Sequence, residues 1–368
     1  MIESFFELKF RLKNTEKPFL GFFLERKRPL NMKSIIRLWR HNRNGFTNMI
    51  IPAIWMAALV FASELTLLSI GFTLTYLTSK IPNFAHGTYA GIGIYVSYTF
   101  AKIMGLSPYL GFPVAFILGG IFSVIVYLVV IKVLTDMGGG AIVLTISTLA
   151  IQIFLTSLIQ IYAYYLRERF STYAMAFLLK EDDFSFAGFP GIFIVSITIT
   201  ISLVIALHFM LTKTKMGVAM RATAEDPELA SVLGININQI QLFSWFLTGG
   251  LACLAGAMIP LWFQSSPASG ATMITSIMAG SLLGGFDSIY GSVIGGVIVG
   301  MSEIMLTVWG QAWIGVWVGE YRPMIPMIFL VIVLMIEPDG LQGAYTKFAA
   351  TETGENLLKS IGLLKEDD

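Results

Sequence analysis

The apolar residues of this chain fall in long runs separated by short polar stretches. Runs such as Tyr109 to Leu134 and Ile192 to Leu211 hold roughly 20 apolar or weakly polar residues, the length that crosses about 30 Å of hydrocarbon. One such run is compatible with a core helix of a soluble protein, but six or more indicate a membrane protein. The predicted segments are Ile50 to Leu77, Phe84 to Met104, Tyr109 to Leu134, Gly140 to Tyr165, Ile192 to Leu211, Ile240 to Phe263, Met273 to Leu283, Ile289 to Val308 and Met324 to Ile336.

Composition agrees with this pattern. Of the 368 residues, 55% are hydrophobic and 13% are charged, and the mean hydropathy is +0.75, whereas about a quarter of the residues are charged in soluble domains. The predicted fold class is therefore all-α: a polytopic integral membrane protein with about eight or nine transmembrane helices, some of them broken or short.

Charge along the chain predicts three regions. Because 11 of the 24 Lys and Arg residues precede Asn48, residues 1–48 are expected to form a basic amphipathic arm beside the membrane. Residues 49–343 are the predicted transmembrane domain, which contains a polar loop at 212–239, and residues 344–368 are a polar tail. The apolar positions of the arm include Phe19, Leu20, Phe22, Phe23 and Leu24.

Two polar stretches predict the orientation of the segments. The stretch from Thr212 to Gln239 carries Lys213, Lys215 and Arg221, whereas the stretch from Arg167 to Pro190 is rich in acidic residues. Because basic loops near helix ends remain in the cytoplasm, the first stretch is expected inside and the second outside.

The number of predicted segments conflicts with a cytoplasmic amino terminus. That orientation needs an even number of crossings before Thr212, and the apolar runs provide five. One solution is a broken or re-entrant segment at Ile81-Pro82-Asn83-Phe84-Ala85-His86-Gly87, where proline removes a donor and the Asn and His side chains can satisfy freed backbone groups. The other solutions are three crossings between Ile50 and Met104, or an external amino terminus followed by eight plain spans.

Motifs for enzymatic chemistry are missing from the sequence. It contains neither a GxxxxGK[ST] phosphate loop nor any Gly-Lys pair, so the chain is not expected to hydrolyse ATP by P-loop chemistry. His41, His86, His208 and the single Cys253 show no metal-ligand spacing, and no Ser, His and Asp arrangement is suggested. A membrane enzyme therefore finds no support in the sequence.

The predicted cytoplasmic loop contains the signals of a short capped helix. Asp226 is a good N-cap, Pro227 suits the first helical position, and Glu228 favours the positive end of the helix dipole. Gly234 can take the left-handed conformation that ends a helix. About two helical turns fit between these caps.

One face of this short helix is apolar. Leu229, Val232 and Leu233 fall at positions i, i+3 and i+4, so they share a face that so small a helix cannot bury by itself. Insertion into a groove of another protein would bury it. The alternative is that the helix lies on its own domain or on lipid.

Several blocks of the sequence occur in an order and spacing typical of one family. They are Gly71-Phe72-Thr73 followed by Asn83 to Gly87, Met216 to Asn236 with its Arg-Ala-x-Ala-Glu-Asp core, Leu283-Gly284-Gly285 through Gly300, and Pro338-Asp339-Gly340-Leu341. Over roughly Ile50 to Gly343 the chain thereby resembles the permease subunits of branched-chain amino acid ABC importers of the LivH type. The basic arm before this region is longer than the family pattern.

The resemblance implies a coupling element in the loop after the fifth span, which docks on the ATP-hydrolysing subunit in that family. It implies this role for Gly217, Arg221, Ala222, Glu225, Asp226, Ala230, Gly234 and Asn236. The helix signals add Pro227, Leu229, Val232 and Leu233 to the predicted coupling residues.

Residues for a translocation path are indicated mainly by charge inside predicted membrane segments, because burying ionisable groups in a membrane is costly. Interhelical hydrogen bonding or a position near the headgroups is the alternative for each of them, and helix packing is preferred for the glycines spaced from Gly291 to Gly300. The predicted path residues are Glu64, Asn83, His86, Gly87, Gly284, Gly285 and Glu303.

The resemblance implies a permease subunit that moves leucine, isoleucine and valine across the cell membrane, with no cofactor of its own because ATP is bound by separate subunits. The implied partners are a homologous LivM-type permease or a second copy, two ABC ATPase subunits, an extracytoplasmic solute-binding protein and membrane lipid, but no nucleic acid. Import of urea, short amides or another amino acid is the alternative within the family. An ion-driven secondary carrier is the alternative from another class, although the inverted repeat that would favour it is not apparent.

Overall fold

The computed structural model describes residues 32–343 apart from residues 187, 338 and 339, and it describes side chains from residue 53 onward. The chain divides into two units, Met1–Ala53 and Ile54–Asp368, and the contacts reported below belong to the second. The apolar positions expected around Phe19 and the polar tail at 344–368 lie outside the described residues. The predicted division into arm, transmembrane domain and tail stays a prediction.

Helices make up most of the described chain. They are α1 Met32–Ser79, α2 His86–Tyr98, α3 Gly111–Val126, α4 Lys132–Asp136, α5 Ala141–Phe170, α6 Gly191–Lys213, α7 Lys215–Glu225, α8 Pro227–Val232, α9 Ile237–Met258, α10 Ser269–Thr272, α11 Ile274–Gly284, α12 Ile289–Trp313 and α13 Met324–Ile336. Single π-helical turns extend α2 over Thr99–Ile103 and join α3 to α4 over Tyr127–Ile131. Short 3₁₀ turns are Pro108–Leu110, Lys180–Asp182, Ile259–Leu261 and Val316–Tyr321. Two short strands, β1 Ser185–Phe186 and β2 Phe189–Pro190, pair antiparallel with Ser185 opposite Pro190.

Within the described part of the chain, seven helical stretches are long and apolar enough to cross a membrane. They are Ala53–Ser79, Pro108–Asp136, Ala141–Phe170, Gly191–Lys213, Ile237–Leu261, Ile289–Trp313 and a last one that begins at Met324. The two remaining predicted segments are the shorter helices α2 and α11. The predicted all-α polytopic membrane fold is confirmed. Helix α1 begins at Met32, before the apolar run that starts at Ile50. Polar residues limit the apolar run, but they do not prevent a helix from continuing.

Helix α9 is the most buried of these candidate spans, and small residues let its neighbours approach closely. A Cβ atom added at Gly119 of α3 would meet the Gly249 carbonyl of α9, and one added at Gly256 of α9 would meet the Ala90 backbone of α2. The thiol of Cys253 is free and buried in the same packing. Backbone contacts therefore join α2, α3 and α9.

The glycines of α12 serve the same purpose against α11 and α1. Gly291 lies against the backbone of Gly284 in α11, and Gly300 lies against Ala62 in α1. Because lipid offers no hydrophobic driving force between helices, such close van der Waals contacts are what hold them together. The helix-packing interpretation of the glycine spacing is confirmed.

The predicted break between the first two segments is present. Helix α1 ends at Ser79 and α2 begins at His86, and between them Oδ1 of Asn83 accepts a hydrogen bond from Ala85 N–H at 3.1 Å. Nε2 of His86 donates to the Leu68 carbonyl at 2.9 Å. Since a helix rises 1.5 Å per residue, this contact places the start of α2 about 16 Å inside the bundle from the end of α1. Irregular backbone at this depth is tolerated because it is enclosed by protein.

Contacts between α1 and α9 settle the direction of the first span. Near the start of α9, the Ser244 hydroxyl lies 2.9 Å from the Thr78 hydroxyl, and after the end of α9, the Phe263 ring lies 5.5 Å from the Phe61 ring, centroid to centroid. The two helices are therefore antiparallel, and Ile54 lies at the face opposite to the polar loop before α9. The break does not change this parity. If that loop is cytoplasmic, Ile54 lies at the outer face, as the external alternative requires, but the eight plain spans of that alternative are not found because the second segment is broken.

Candidate functional site

The polar loop between α6 and α9 folds into the two short helices α7 and α8. Oδ1 of Asp226 accepts hydrogen bonds from Glu228 N–H and Leu229 N–H, both at 3.0 Å, and so caps α8. Pro227 occupies the first helical position. Beyond the helix, Gly234 has a φ of +85°, the left-handed conformation that glycine adopts at little steric cost. The predicted capped helix is present.

The apolar face of α8 is exposed. The exposed fractions are 57% for Leu229, 83% for Val232 and 72% for Leu233, whereas Ala230 on the opposite side is buried. None of the described residues covers this face. Within the described residues, α8 therefore does not hide these side chains on its own domain.

The two ends of the α7–α8 element are tied to long helices. At the first end, Thr214 caps α7 by accepting from Gly217 N–H at 3.1 Å, and a Cβ atom at Gly217 would meet the Leu211 backbone of α6. At the other end, Asn236 caps α9 by accepting from Gln239 N–H at 3.2 Å. A force on α8 therefore reaches α6 and α9 through short capped turns.

A cleft of about 530 Å³ lies between α7, the end of α1 and the start of α12. Arg221 and Glu225 of the predicted coupling residues line it, and Ala222 between them is half-buried. Across the cleft, Nζ of Lys80 lies 3.0 Å from Oδ1 of Asp287 in an exposed ion pair. The other lining residues are Leu74, Leu77, Thr78, Leu211, Met220, Ala224, Ser288, Ile289, Tyr290 and Gln342. The coupling element thus borders directly on two further spans.

Buried polar atoms without a hydrogen-bond partner among the described residues occur in four of the predicted path residues, and one of these atoms is Oε2 of Glu303. Glu64 is fully buried in α1, and neither of its carboxylate oxygens has a partner among the described residues. At the break, Nδ1 of His86 and Nδ2 of Asn83 likewise have none there. Because burying a polar group without a partner costs free energy, these atoms are candidates for contact with a ligand.

The carboxylate of Glu303 forms an ion pair in the half of the bundle remote from the loop. Oε1 of Glu303 accepts from Nε of Arg322 at 2.7 Å. The guanidinium carbon of Arg322 lies 4.2 Å from the centre of the Phe61 ring and 5.5 Å from the centre of the Phe263 ring. Glu64 is one helical turn from Phe61 on the same face of α1. One predicted path residue, Glu303, therefore pairs with Arg322, and a second, Glu64, is buried on the face of α1 that contacts Arg322.

The predicted path glycines contact backbone. Gly87 at the start of α2 lies against Gly270 of α10, and Gly284 lies against Gly291. Gly285 has a φ of +100° and forms the turn after α11. Packing and turn geometry account for all three, and the structure brings none of them to the cluster around Arg322. Their role in a path stays a prediction.

Sequence comparison identifies the family. A family model described as "Branched-chain amino acid transport system / permease component" matches residues 54–335. The chain belongs to this permease family. The predicted resemblance is confirmed, and the permease is a multi-pass membrane protein.

Individual relatives of the permease agree with this assignment. It is 40% identical over 286 residues to the probable branched-chain amino acid transport permease protein LivH of Methanocaldococcus jannaschii, which covers 78% of this chain and 90% of that relative. It is 25% identical to the high-affinity branched-chain amino acid transport system permease protein BraD of Pseudomonas aeruginosa, covering 77% of this chain and 93% of that one. The corresponding LivH protein of Escherichia coli is 26% identical, covering 76% and 92%.

Sequence reasoning did not find the central residue of the charged cluster in the permease. Arg322 lies at the edge of the last apolar run, where a basic residue is ordinary. A sharper signal was its position immediately before Pro323 and the final span. The partners of Arg322 still required the structure, because they are far away in sequence.

Proposed function

We propose that the permease is the membrane-spanning subunit of an ATP-driven importer for leucine, isoleucine and valine in the cell membrane. Its partners would be two ATPase subunits, a second homologous permease and an external solute-binding protein. ATP would be bound and hydrolysed by the ATPase subunits, so the permease needs no cofactor or catalytic residue of its own. The names of the three relatives given above support the solute, since all three are described as branched-chain amino acid transport permeases.

The exposed face of α8 is the observation that carries the proposal. Leu229, Val232 and Leu233 are apolar and exposed, and α8 is held between capped turns. An amphipathic helix of this kind inserts its apolar side chains into a groove of a partner. Full burial of such a side chain stabilises a complex by roughly 1.5–3 kcal/mol, so the three side chains would supply a large part of the free energy of docking.

The cleft beside α7 indicates how docking would move the membrane helices. Arg221 and Glu225 of α7 face the end of α1 and the start of α12 across this cleft. A displacement of α8 by the ATPase subunit would change the width of the cleft and shift these two spans. Alternating access requires such a rearrangement, in which the path opens to one side at a time.

Charging the exposed face tests the proposal. The double variant Leu229→Glu and Val232→Glu is expected to lose copurification of the ATPase subunits and uptake of radiolabelled leucine, because two carboxylates cannot enter an apolar groove without a large desolvation cost. The matched control is Met137→Glu, which places a carboxylate at an exposed apolar position in the turn after α4. Membrane abundance is measured for all variants. Unchanged, ATP-dependent leucine uptake by the double variant would contradict the proposal, and uptake of urea or acetamide in preference to leucine would contradict the proposed solute.

A further inference from the structure

The charged cluster of Glu64, Glu303 and Arg322 lies far from the predicted coupling element. Glu303 lies about 21 Å along α12 from Ile289, which lines the cleft at the coupling end. Arg322 follows the 3₁₀ turn after α12, and its side chain is 28% exposed. The cluster is therefore located in the half of the bundle from which an importer receives its solute.

The guanidinium of Arg322 is held in place with most of its donors unused. Its Nε atom donates to Glu303, and Phe61 lies under its face. Among the described residues, the Arg322 side chain makes one hydrogen bond, the one to Glu303. A guanidinium presents a planar fork of five N–H donors, so its two terminal nitrogens remain able to bind a carboxylate in bidentate fashion.

Glu64 gives the cluster an excess of acidic groups. It is fully buried, its two oxygens have no hydrogen-bond partner in the described part of the chain, and it lies one helical turn from Phe61 on the same face of α1. A second carboxylate is thus buried on the helix face that contacts a guanidinium already paired with Glu303. A buried carboxylate is stabilised by a cation that hydrogen-bonds to it, and an ammonium group supplies one positive charge and three donors.

We propose that this cluster is a recognition site for the zwitterionic part of an amino acid. Arg322 binds the carboxylate of the solute, Glu64 binds its ammonium group when the bundle opens, and Glu303 positions Arg322. The rings of Phe61 and Phe263, 5.5 Å apart between centroids, border the site with an apolar surface suited to an aliphatic side chain. The inference rests on the proposed function and names the part of the permease that distinguishes an amino acid from its uncharged analogues.

Binding to the purified complex of permease and ATPase subunits in nanodiscs, without the binding protein, tests the site. Tritiated L-leucine is the probe, leucinamide is the analogue without a carboxylate, and 4-methylpentanoate is the analogue without an ammonium group. The wild type is expected to prefer leucine to either analogue by at least about tenfold, since each analogue leaves a charged group unpaired. Arg322→Met is expected to lose the preference for leucine over leucinamide and to keep the preference over 4-methylpentanoate. Glu64→Gln is expected to show the reverse.

Lys102→Met is the matched control, because the Lys102 ion pair with Asp182 is also 2.7 Å long and partly buried. It should leave both preferences unchanged. Wild-type preferences in Arg322→Met and Glu64→Gln would overturn the inference. If Arg322→Met lowers the amount of folded complex, the Glu64→Gln variant provides the test instead. The inference is overturned if Glu64→Gln still prefers leucine to 4-methylpentanoate as strongly as the wild type does. A wild-type complex that fails to take up leucine with ATP and the binding protein would instead refute the proposed function.

Discussion

The N-cap of α8 offers a quantitative test of whether coupling depends on a preformed helix. Asp226→Ala removes the acceptor of two backbone hydrogen bonds, each 3.0 Å long. Loss of an N-cap side chain costs typically about 1 kcal/mol, and up to about 2. Helix α8 has only six residues, so it has little helical stability of its own to offset this loss. One to two kcal/mol corresponds to a factor of about 5 to 30 in the opening equilibrium of the helix.

Hydrogen exchange of the amides in α8 measures this opening directly. The amides of Ala230 and Leu233, which donate to the backbone carbonyls of Asp226 and Leu229, should exchange about 5 to 30 times faster in Asp226→Ala than in the wild type. The affinity of the ATPase subunits should fall by up to the same factor, because only the folded helix is competent to bind. Asp226→Asn keeps a comparable capping oxygen and should resemble the wild type. Wild-type exchange in Asp226→Ala would refute the capping argument, and equal loss of affinity in both variants would show that charge matters instead.

Two further predictions concern helix packing inside the membrane. Gly256→Ala should lower the free energy of unfolding of the purified permease by about 1–3 kcal/mol, because its new methyl group meets the backbone of α2. A lower melting temperature would reveal this loss. Gly140→Ala, at a position with open space around it, should not change stability, and equal melting of the two variants would contradict the packing argument. The hydroxyls of Thr75 and Thr248 lie 2.8 Å apart between α1 and α9, so a double-mutant cycle with valine should give a coupling energy of about 0.6 kcal/mol, and a value of zero would count against this hydrogen bond.

Features of the fold that depend on residues close together in the sequence could be predicted from the sequence alone. The caps of α8 depend on residues within one helical turn of each other, so Asp226 and Gly234 could be recognised without a structure. The break before α2 was predictable for the same reason, since Pro82 and Asn83 act on adjacent backbone. The apolar runs located the helices because twenty residues of one character leave few alternatives in a membrane.

Depth and long-range pairing could not be obtained in this way. An apolar run does not reveal that α2 starts well inside the bundle, because hydropathy is the same whether the surroundings are lipid or protein. The number of predicted crossings could not decide between a cytoplasmic and an external amino terminus, because a count of segments does not show on which side of the membrane each segment begins. The pairing of Glu303 with Arg322 required the turn after α12 to fold back, and the proximity of Glu64 required α1 to pack beside α12.

Gly87 and Gly270 meet where two short helices, α2 and α10, begin inside the bundle. Neither residue carries a Cβ atom, so the two backbones touch directly, and an alanine at either position would have to push α2 and α10 apart. The depth at which α2 starts is thus fixed by a pair of residues that leave no room for even one additional carbon atom.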